Sequence, residues 1–147
     1  MNNLFVYGSL KSKKVQVELF GKELNTTKAE LIDYALYEAE DGWYFIKEEK
    51  EKRVEGYILE IDDYDLKICD AFEFCPDMYQ RKQIKALCNQ EIIDAFVYIR
   101  VDDVGKYKTV ESFDSYSKLS EDEFIATEIK NFKEIEHPEF YALNNIN

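Results

Sequence analysis

The feature that most restricts the fold of this chain is the frequency of strand-like segments. Six stretches rich in Ile, Val, Leu, Tyr and Phe are separated by short polar runs, a pattern typical of a sheet with short connections. No regular β-α-β alternation accompanies them, so the pattern favours an α+β fold. The predicted strands are Leu4–Tyr7, Leu31–Tyr37, Trp43–Lys47, Val54–Ile61, Lys82–Cys88 and Ile92–Val101.

Three helices are predicted beside these strands. Apolar residues at helical spacing predict helices over Lys13–Phe20 and Asp63–Phe72, and Asp62 is suited to cap the second. The sequence Ser120-Glu121-Asp122-Glu123 is a capping box that opens a third helix, which continues to Phe132. A chain of 147 residues fits one domain. We therefore expect a small, mostly antiparallel sheet or barrel with helices packed around it.

The charge balance argues against two classes of partner. The chain has 31 acidic and 19 basic residues, and its formal net charge is −12 at pH 7. Phosphate backbones and anionic bilayers repel such a surface. We therefore expect neither nucleic acid nor a membrane as a partner.

The termini and the cysteines indicate a compartment. Met1–Tyr7 lacks the basic and long apolar regions of a signal peptide, and no apolar run approaches the roughly 20 residues that span a bilayer. Cys69, Cys75 and Cys88 are odd in number and form no C-x-x-C pair, which argues against a disulfide framework or a zinc ribbon. We expect reduced thiols and a cytoplasmic location.

The chain contains a single histidine, His137, ten residues from the C-terminus. A Ser-His-Asp triad, a Cys-His pair or a multi-histidine metal site would have to rest on that residue alone. If the protein is an enzyme, its proton chemistry is therefore expected to belong to another residue type, and we predict no metal site. We expect the tail from His137 onward to be frayed.

The first candidate site is the run Tyr7-Gly8-Ser9-Leu10, which ends the first predicted strand. A strand that stops at a glycine can turn its next backbone N–H groups outward together, and such donors suit a carboxylate or a developing oxyanion. The glycine permits an unusual φ and close ligand approach. An ordinary strand-ending turn is the alternative interpretation.

The second candidate site follows the helix predicted over Asp63–Phe72. Glu73 would lie beside an apolar face, where loss of hydration raises the pKa of a carboxyl group toward the range of a general acid or base. Tyr79 and Arg81 follow at the start of the next strand. In so acidic a chain Glu73 could equally be one of many surface acids, Arg81 a surface salt-bridge partner, and Tyr79 a core residue.

Together, these segments are more specific than either alone. Leu-Phe-Val-Tyr-Gly-Ser-Leu-Lys at the N-terminus, Val-Glu-Gly-Tyr-Ile-Leu-Glu-Ile in mid-chain, Asp-Ala-Phe-Glu…Tyr-Gln-Arg after it and Ala-Phe-Val-Tyr-Ile-Arg beyond resemble the γ-glutamylcyclotransferase-like family in order and spacing. The run from Phe72 to Arg81 and the later Asp114-Ser115-Tyr116 look most like the γ-glutamylamine cyclotransferases within it. Many relatives have glycine where this chain has Phe74, and that departure could alter substrate choice.

The resemblance implies a fold, a reaction and a set of site residues. The fold would be a small β-barrel with flanking helices and a cavity at one end. The substrate's own α-amine would attack its γ-carbonyl carbon, which closes 5-oxoproline and releases an amine such as lysine, with Glu73 as the proton shuttle. The substrate-binding residues would be Tyr7, Gly8, Ser9, Leu10, Tyr79 and Tyr116.

This chemistry needs no histidine, metal or cofactor, so we expect no cofactor, a small γ-glutamyl substrate and a monomer. The resemblance extends to about residue 118 and divides the chain into a domain over 1–118 and a C-terminal helical extension over 119–147. Three alternatives stay open: the same reaction on γ-glutamyl amino acids or another γ-glutamylated metabolite, a non-catalytic binding domain of the same fold, and a hydrolase with a pair of carboxylates.

Overall fold

The computed structural model describes residues 1–110 and 119–142. It has the predicted α+β fold, with a six-stranded sheet and three helices. The strands are β1 (Asn2–Val6), β2 (Thr26–Glu38), β3 (Tyr44–Ile61), β4 (Tyr79–Cys88), β5 (Glu91–Arg100) and β6 (Lys108–Thr109), and the helices are α1 (Lys13–Phe20), α2 (Asp63–Phe72) and α3 (Glu121–Phe124). Short 3₁₀ helices cover Ser9–Lys11 and Pro138–Phe140.

The last helix is longer than α3 alone. It continues into wider π-helical turns at Ile125–Ile129 and Phe132–Glu136, and we refer to 121–136 as the C-terminal helical segment. The predicted capping box is confirmed, because the Ser120 hydroxyl accepts a hydrogen bond from the Glu123 N–H at 3.2 Å. The segment thus runs four residues beyond the predicted end at Phe132.

Two strands predicted separately, Trp43–Lys47 and Val54–Ile61, are parts of the single strand β3. The polar residues between them are mostly exposed, but the backbone still pairs with β2, with an irregularity in register at Asp33. The apolar pattern of side chains predicts which residues are buried, whereas backbone hydrogen bonds hold a strand together. The exposed middle of β3 was therefore not predicted as a strand. The two-residue strand β6 was also missed, because so short a segment has no periodicity.

The strands are mostly antiparallel and follow the order β3-β1-β5-β4-β2-β6, with β3 also paired to β2. Only β1 and β5 are parallel among these pairs. The five strands β1, β2, β3, β4 and β5 are therefore paired in a closed circuit. Within it, β2 and β4 meet at one residue pair, Glu30 and Leu87. We describe this architecture as a sheet curled upon itself.

The two faces of β1 contribute to two different apolar cores. Leu4 and Val6 belong to a core shared with the helices, whereas Phe5 and Tyr7 belong to a core built from the strands. Burial on both faces explains why β1 is a continuous apolar run without alternation. At Gly56 of β3 a β-carbon would lie 2.3 Å from the Val6 carbonyl oxygen, so β1 approaches β3 closely just before the Tyr7 turn.

The helices and the tail are fixed by local contacts. As predicted, Asp62 caps α2, and its side chain accepts a hydrogen bond from the Asp65 N–H at 2.8 Å. The tail does not fray at His137. The Tyr141 hydroxyl donates to the Leu19 carbonyl at 2.9 Å, and the His137 ring lies 5.1 Å from the Phe132 ring. Within the described part of the chain, no helix is long and apolar enough to cross a membrane.

Candidate active site

A cavity of about 130 Å³ lies where the end of β1, the end of α2 and the C-terminal helical segment meet. Six of the seven predicted site residues line it: Tyr7, Gly8, Ser9, Leu10, Glu73 and Tyr79. The seventh, Tyr116, lies outside the described residues. The Tyr7–Leu10 run and Glu73, which are at least 63 residues apart in sequence, thus line one cavity.

The run from Tyr7 to Leu10 forms a tight turn at the end of β1. The 3₁₀ helix Ser9–Lys11 starts here, and the Lys11 N–H donates to the Gly8 carbonyl at 3.0 Å. No side chain of the described residues caps this helix, and the first N–H groups of any helix have no acceptor within it. The turn therefore supplies backbone donors at the cavity wall.

Gly8 serves the cavity by its lack of a side chain. Its φ is −123°, so the unusual φ that the sequence allows is not found, although its ψ of −137° lies outside the strand and helical regions. A β-carbon at Gly8 would meet no atom of the described residues within 4 Å. Glycine therefore leaves space at the cavity wall for a ligand to approach the backbone.

A buried glutamine that the sequence analysis missed holds this turn in place. Gln16 of α1 is fully buried. Its side-chain amide donates to the Leu10 carbonyl at 2.9 Å and accepts from the Leu24 N–H at 3.2 Å. A polar residue beside Val15 and Leu19 on the buried face of a helix was the available signal.

Glu73 lies directly after α2, and its backbone N–H continues the helix by donating to the Cys69 carbonyl at 2.9 Å. The side chain reaches the cavity lining. Burial raises the pKa of its carboxyl group from 4.5 to about 7. A group with this pKa can take up and release a proton near neutral pH.

Behind Glu73, a polar network ties the end of α2 to β4 and β5. The Tyr98 hydroxyl donates to the Asp70 carboxylate at 2.7 Å, and the Arg81 Nε lies 2.9 Å from the same oxygen. The Arg81 guanidinium also lies 4.6 Å from the Phe96 ring centre. Asp70 and Arg81 are therefore partly buried partners, so Arg81 is not a fully exposed surface cation.

Two tyrosines of the cavity donate hydroxyl hydrogen bonds to backbone carbonyls. Tyr7 donates to the Tyr98 carbonyl at 2.7 Å, and Tyr79 donates to the Tyr44 carbonyl at 2.6 Å. Burial, followed by neighbouring charge that includes Glu73, raises the pKa of both hydroxyls well above the ordinary value. Both side chains stay neutral and shape the wall, so a direct role in substrate binding stays a prediction.

Phe74 has an unusual backbone for an aromatic residue. Its φ is +52°, in the left-handed region that favours glycine, and 56% of the residue is exposed. This conformation explains why a glycine is well suited to the position after Glu73. In this chain an aromatic ring occupies the position instead, and it lines the cavity.

The C-terminal helical segment supplies a wall that the sequence analysis did not assign. Phe124, Glu128, Phe132 and Glu136 all line the cavity. Intervals of four residues bring neighbouring members of such a series close together on a helix, and this was the available signal. The position of this segment far from Glu73 in sequence gave no indication of the shared cavity.

Among the described residues, no group of three or more His, Cys, Asp and Glu side chains could hold a metal ion.

Comparison with family models supports the N-terminal motifs. A model described as gamma-glutamyl cyclotransferase, AIG2-like, matches residues 4–118. That range includes Tyr7, Gly8, Ser9, Leu10, Glu73 and Tyr79, and it stops before the C-terminal helical segment. No curated protein matches the chain.

Solved structures with the same fold include proteins of Mus musculus and Arabidopsis thaliana. An AIG2-like protein of Mus musculus is 28% identical, with a TM-score of 0.56, over 67% of this chain and 76% of that one. A protein of Arabidopsis thaliana is 18% identical, with a TM-score of 0.63, over 97% and 92%. A structure described as gamma-glutamyl cyclotransferase is 14% identical, with a TM-score of 0.61, over 99% and 88%. The latter two likenesses concern the fold alone.

Proposed function

Because the chain belongs to the gamma-glutamyl cyclotransferase, AIG2-like family, whose activity is of the cyclotransferase type, we propose that it is a γ-glutamylamine cyclotransferase. The reaction would convert a γ-glutamyl amine into 5-oxoproline and a free amine. The observation that carries this proposal is the presence of Glu73 and the Tyr7–Leu10 turn in one cavity.

The proposed reaction uses the substrate as its own nucleophile. The α-ammonium group first loses a proton to the Glu73 carboxylate, and the free amine then attacks the γ-carbonyl carbon. The C–N bond to the leaving amine breaks as its nitrogen receives the proton from Glu73. The ring nitrogen gives its second proton to the Glu73 carboxylate so formed, and this proton passes to the departing amine, which leaves as an ammonium ion. Because the attack is intramolecular, effective molarities on the order of 10⁵ M are accessible when the geometry is right.

Each part of the cavity has a task in this proposal. A carboxyl group with a pKa of about 7 is matched to both proton transfers. The backbone N–H groups of the Tyr7–Leu10 turn would hold the γ-glutamyl head group, and space beside Gly8 would let it come close.

The decisive experiment is 5-oxoproline formation by the purified protein from γ-glutamyl-ε-lysine, other γ-glutamyl amines and γ-glutamyl amino acids, followed by mass spectrometry. We expect the γ-glutamyl amines to react. We expect Glu73→Gln to lower kcat/KM by about 10²- to 10⁴-fold, the range for loss of a general base.

Asp77→Asn is the matched control, because Asp77 is an exposed acid in the same loop and does not line the cavity. It should retain wild-type activity. Absence of 5-oxoproline from every compound would refute the enzyme, and full activity of Glu73→Gln would refute the assigned base. A preference for γ-glutamyl amino acids would favour the alternative substrate class.

A further inference from the structure

One face of the C-terminal helical segment lines the cavity together with the motif residues. Phe124, Glu128, Phe132 and Glu136 succeed one another at intervals of four residues, and all four line the cavity. An α-helix has 3.6 residues per turn, so such a series would drift around it. The π-helical turns of this segment are wider and keep the series on one side.

Phe124 and Phe132 hold this wall against the rest of the protein. The Phe124 ring centre lies 5.9 Å from that of Trp43 and 5.8 Å from that of Phe72, and the Phe132 ring centre lies 5.2 Å from that of Phe72. Both phenylalanines are almost completely buried. Core packing therefore sets the backbone position of Glu128, which lies between them, and of the exposed Glu136, which follows Phe132 by four residues.

The charge of the cavity lining has one sign. Glu73, Glu128 and Glu136 line the cavity, and no Lys, Arg or His occurs among the described residues of the lining. The nearby Lys133 is directed elsewhere, since its ammonium lies 4.0 Å from the Glu18 carboxylate and 5.0 Å from the Tyr141 ring centre. The cavity thus combines aromatic walls with carboxylates.

Such a lining is suited to an alkylammonium group. Methylene groups can pack on Trp43, Phe74 and Phe124, and aromatic faces attract a cation within about 6 Å. The carboxylates of Glu128 and Glu136 can pair with the cation, whereas a carboxylate on the ligand would be repelled. The backbone donors of the Tyr7–Leu10 turn lie on the β1 side of the cavity and suit the carboxylate of the head group.

From this arrangement, and resting on the proposed function, we propose that the C-terminal helical segment selects the leaving amine. The preferred γ-glutamyl amines would be those whose leaving amine carries a second ammonium group and no carboxylate, such as diamines and polyamines. Glu128 and Glu136 would be the specificity-determining residues.

The test compares three γ-glutamyl compounds of matched length. Their leaving amines are 1,4-diaminobutane, with an ammonium end, pentylamine, with a methyl end, and 5-aminopentanoate, with a carboxylate end. At low ionic strength we expect kcat/KM to fall in that order, by up to about fivefold at each step, since one partly exposed charge pair contributes up to about 1 kcal/mol. Added salt should compress the differences.

Variants then locate the preference. Glu128→Gln and Glu136→Gln should each lower the ratio of kcat/KM for the diamine compound to that for the pentylamine compound, and Glu128→Lys should favour the 5-aminopentanoate compound. Glu134→Gln is the matched control, because Glu134 is an exposed acid on the same segment that does not line the cavity. It should leave the ratio unchanged. Equal melting temperatures would show that all variants are folded.

The outcomes separate this inference from the function on which it rests. If 5-oxoproline forms from all three compounds at equal rates, or if Glu128→Gln and Glu136→Gln keep the wild-type ratio, the selection is refuted and the cyclotransferase stands. If none of the three compounds yields 5-oxoproline while γ-glutamyl-ε-lysine does, the inference alone fails. If no γ-glutamyl compound reacts at all, both fail.

Discussion

At the scale of single residues, the chemistry of the site depends on how its surroundings treat Glu73. The cavity removes water from the carboxyl group, and burial alone raises its pKa to about 7. Between about pH 4.5 and pH 7, folding therefore favours the protonated form of Glu73. The same shift that suits proton transfer makes the ionised state of Glu73 a cost to stability.

This cost gives a prediction with a definite sign. Folding raises the pKa of Glu73 from 4.5 to about 7. The contribution of this group to the free energy of unfolding is therefore complete below pH 4.5 and is lost as the pH rises through 7. The loss is up to about 3 kcal/mol, at 1.36 kcal/mol per unit of pKa. Relative to wild type, Glu73→Gln should gain unfolding free energy between pH 4.5 and 7 and no more above it, in urea titrations.

A constant difference between Glu73→Gln and wild type from pH 4.5 to pH 8 would contradict a raised pKa. The same titration has a kinetic counterpart, since kcat/KM of the wild type should rise with pH through about 7 as the carboxylate forms. Asp77→Asn serves as the control in the urea titrations and in the kinetic measurement, because the Asp77 side chain is exposed in the folded protein as well as in the unfolded chain.

At the scale of elements, the Tyr7–Leu10 turn is held by α1 through Gln16. The side chain of Gln16 bridges the Leu10 carbonyl and the Leu24 N–H in a fully buried position. Buried backbone groups that lose their partners cost about 1–3 kcal/mol each. The turn keeps its geometry because this helix is both capped by Ser12 and ended at Gly21, whose φ is +77°.

We predict that Gln16→Leu lowers the free energy of unfolding by about 2 kcal/mol or more and raises KM more than it lowers kcat. The substitution keeps the volume similar but leaves the Leu10 carbonyl and the Leu24 N–H without their buried partner. Gln83→Leu is the control, because Gln83 is exposed on β4. A Gln16→Leu protein with wild-type stability and KM would show that the bridge does not hold the turn.

At the scale of the whole molecule, the C-terminal helical segment completes both the core and the cavity. Phe124, Ile129 and Phe132 belong to the same apolar core as Leu4 and Val6 of β1. Burying each of these large side chains contributes about 1.5–3 kcal/mol. Their sum is comparable to the total stability of a domain, about 5–15 kcal/mol.

A chain truncated after Lys118 therefore tests the division at residue 118 that the family resemblance suggests. We expect it to lose its cooperative thermal transition and to bind a hydrophobic dye, because Trp43 and Phe72 lose the rings packed on them. The full-length chain is the reference. Cooperative melting of the truncated chain within a few degrees of that reference would establish 1–118 as an independent domain.

Local signals account for what could be predicted of the elements. The helix caps at Asp62 and Ser120 are visible in sequence because each cap is an interaction over three residues. The strands were found where burial imposes a pattern, and the exposed middle of β3 was not. The motif residues around Gly8 and Glu73 were identifiable because each motif is contiguous.

The sequence by itself determined the α+β class and the family motifs, and it predicted a chemistry without histidine. Only the tertiary structure decided that Glu73 shares a cavity with the Tyr7–Leu10 turn, that Gln16 holds this turn, and that a distant helix face adds Glu128 and Glu136. The physical reason is that backbone propensity and capping act over a few residues. Desolvation and electrostatic environment arise from groups that meet only after the chain has folded.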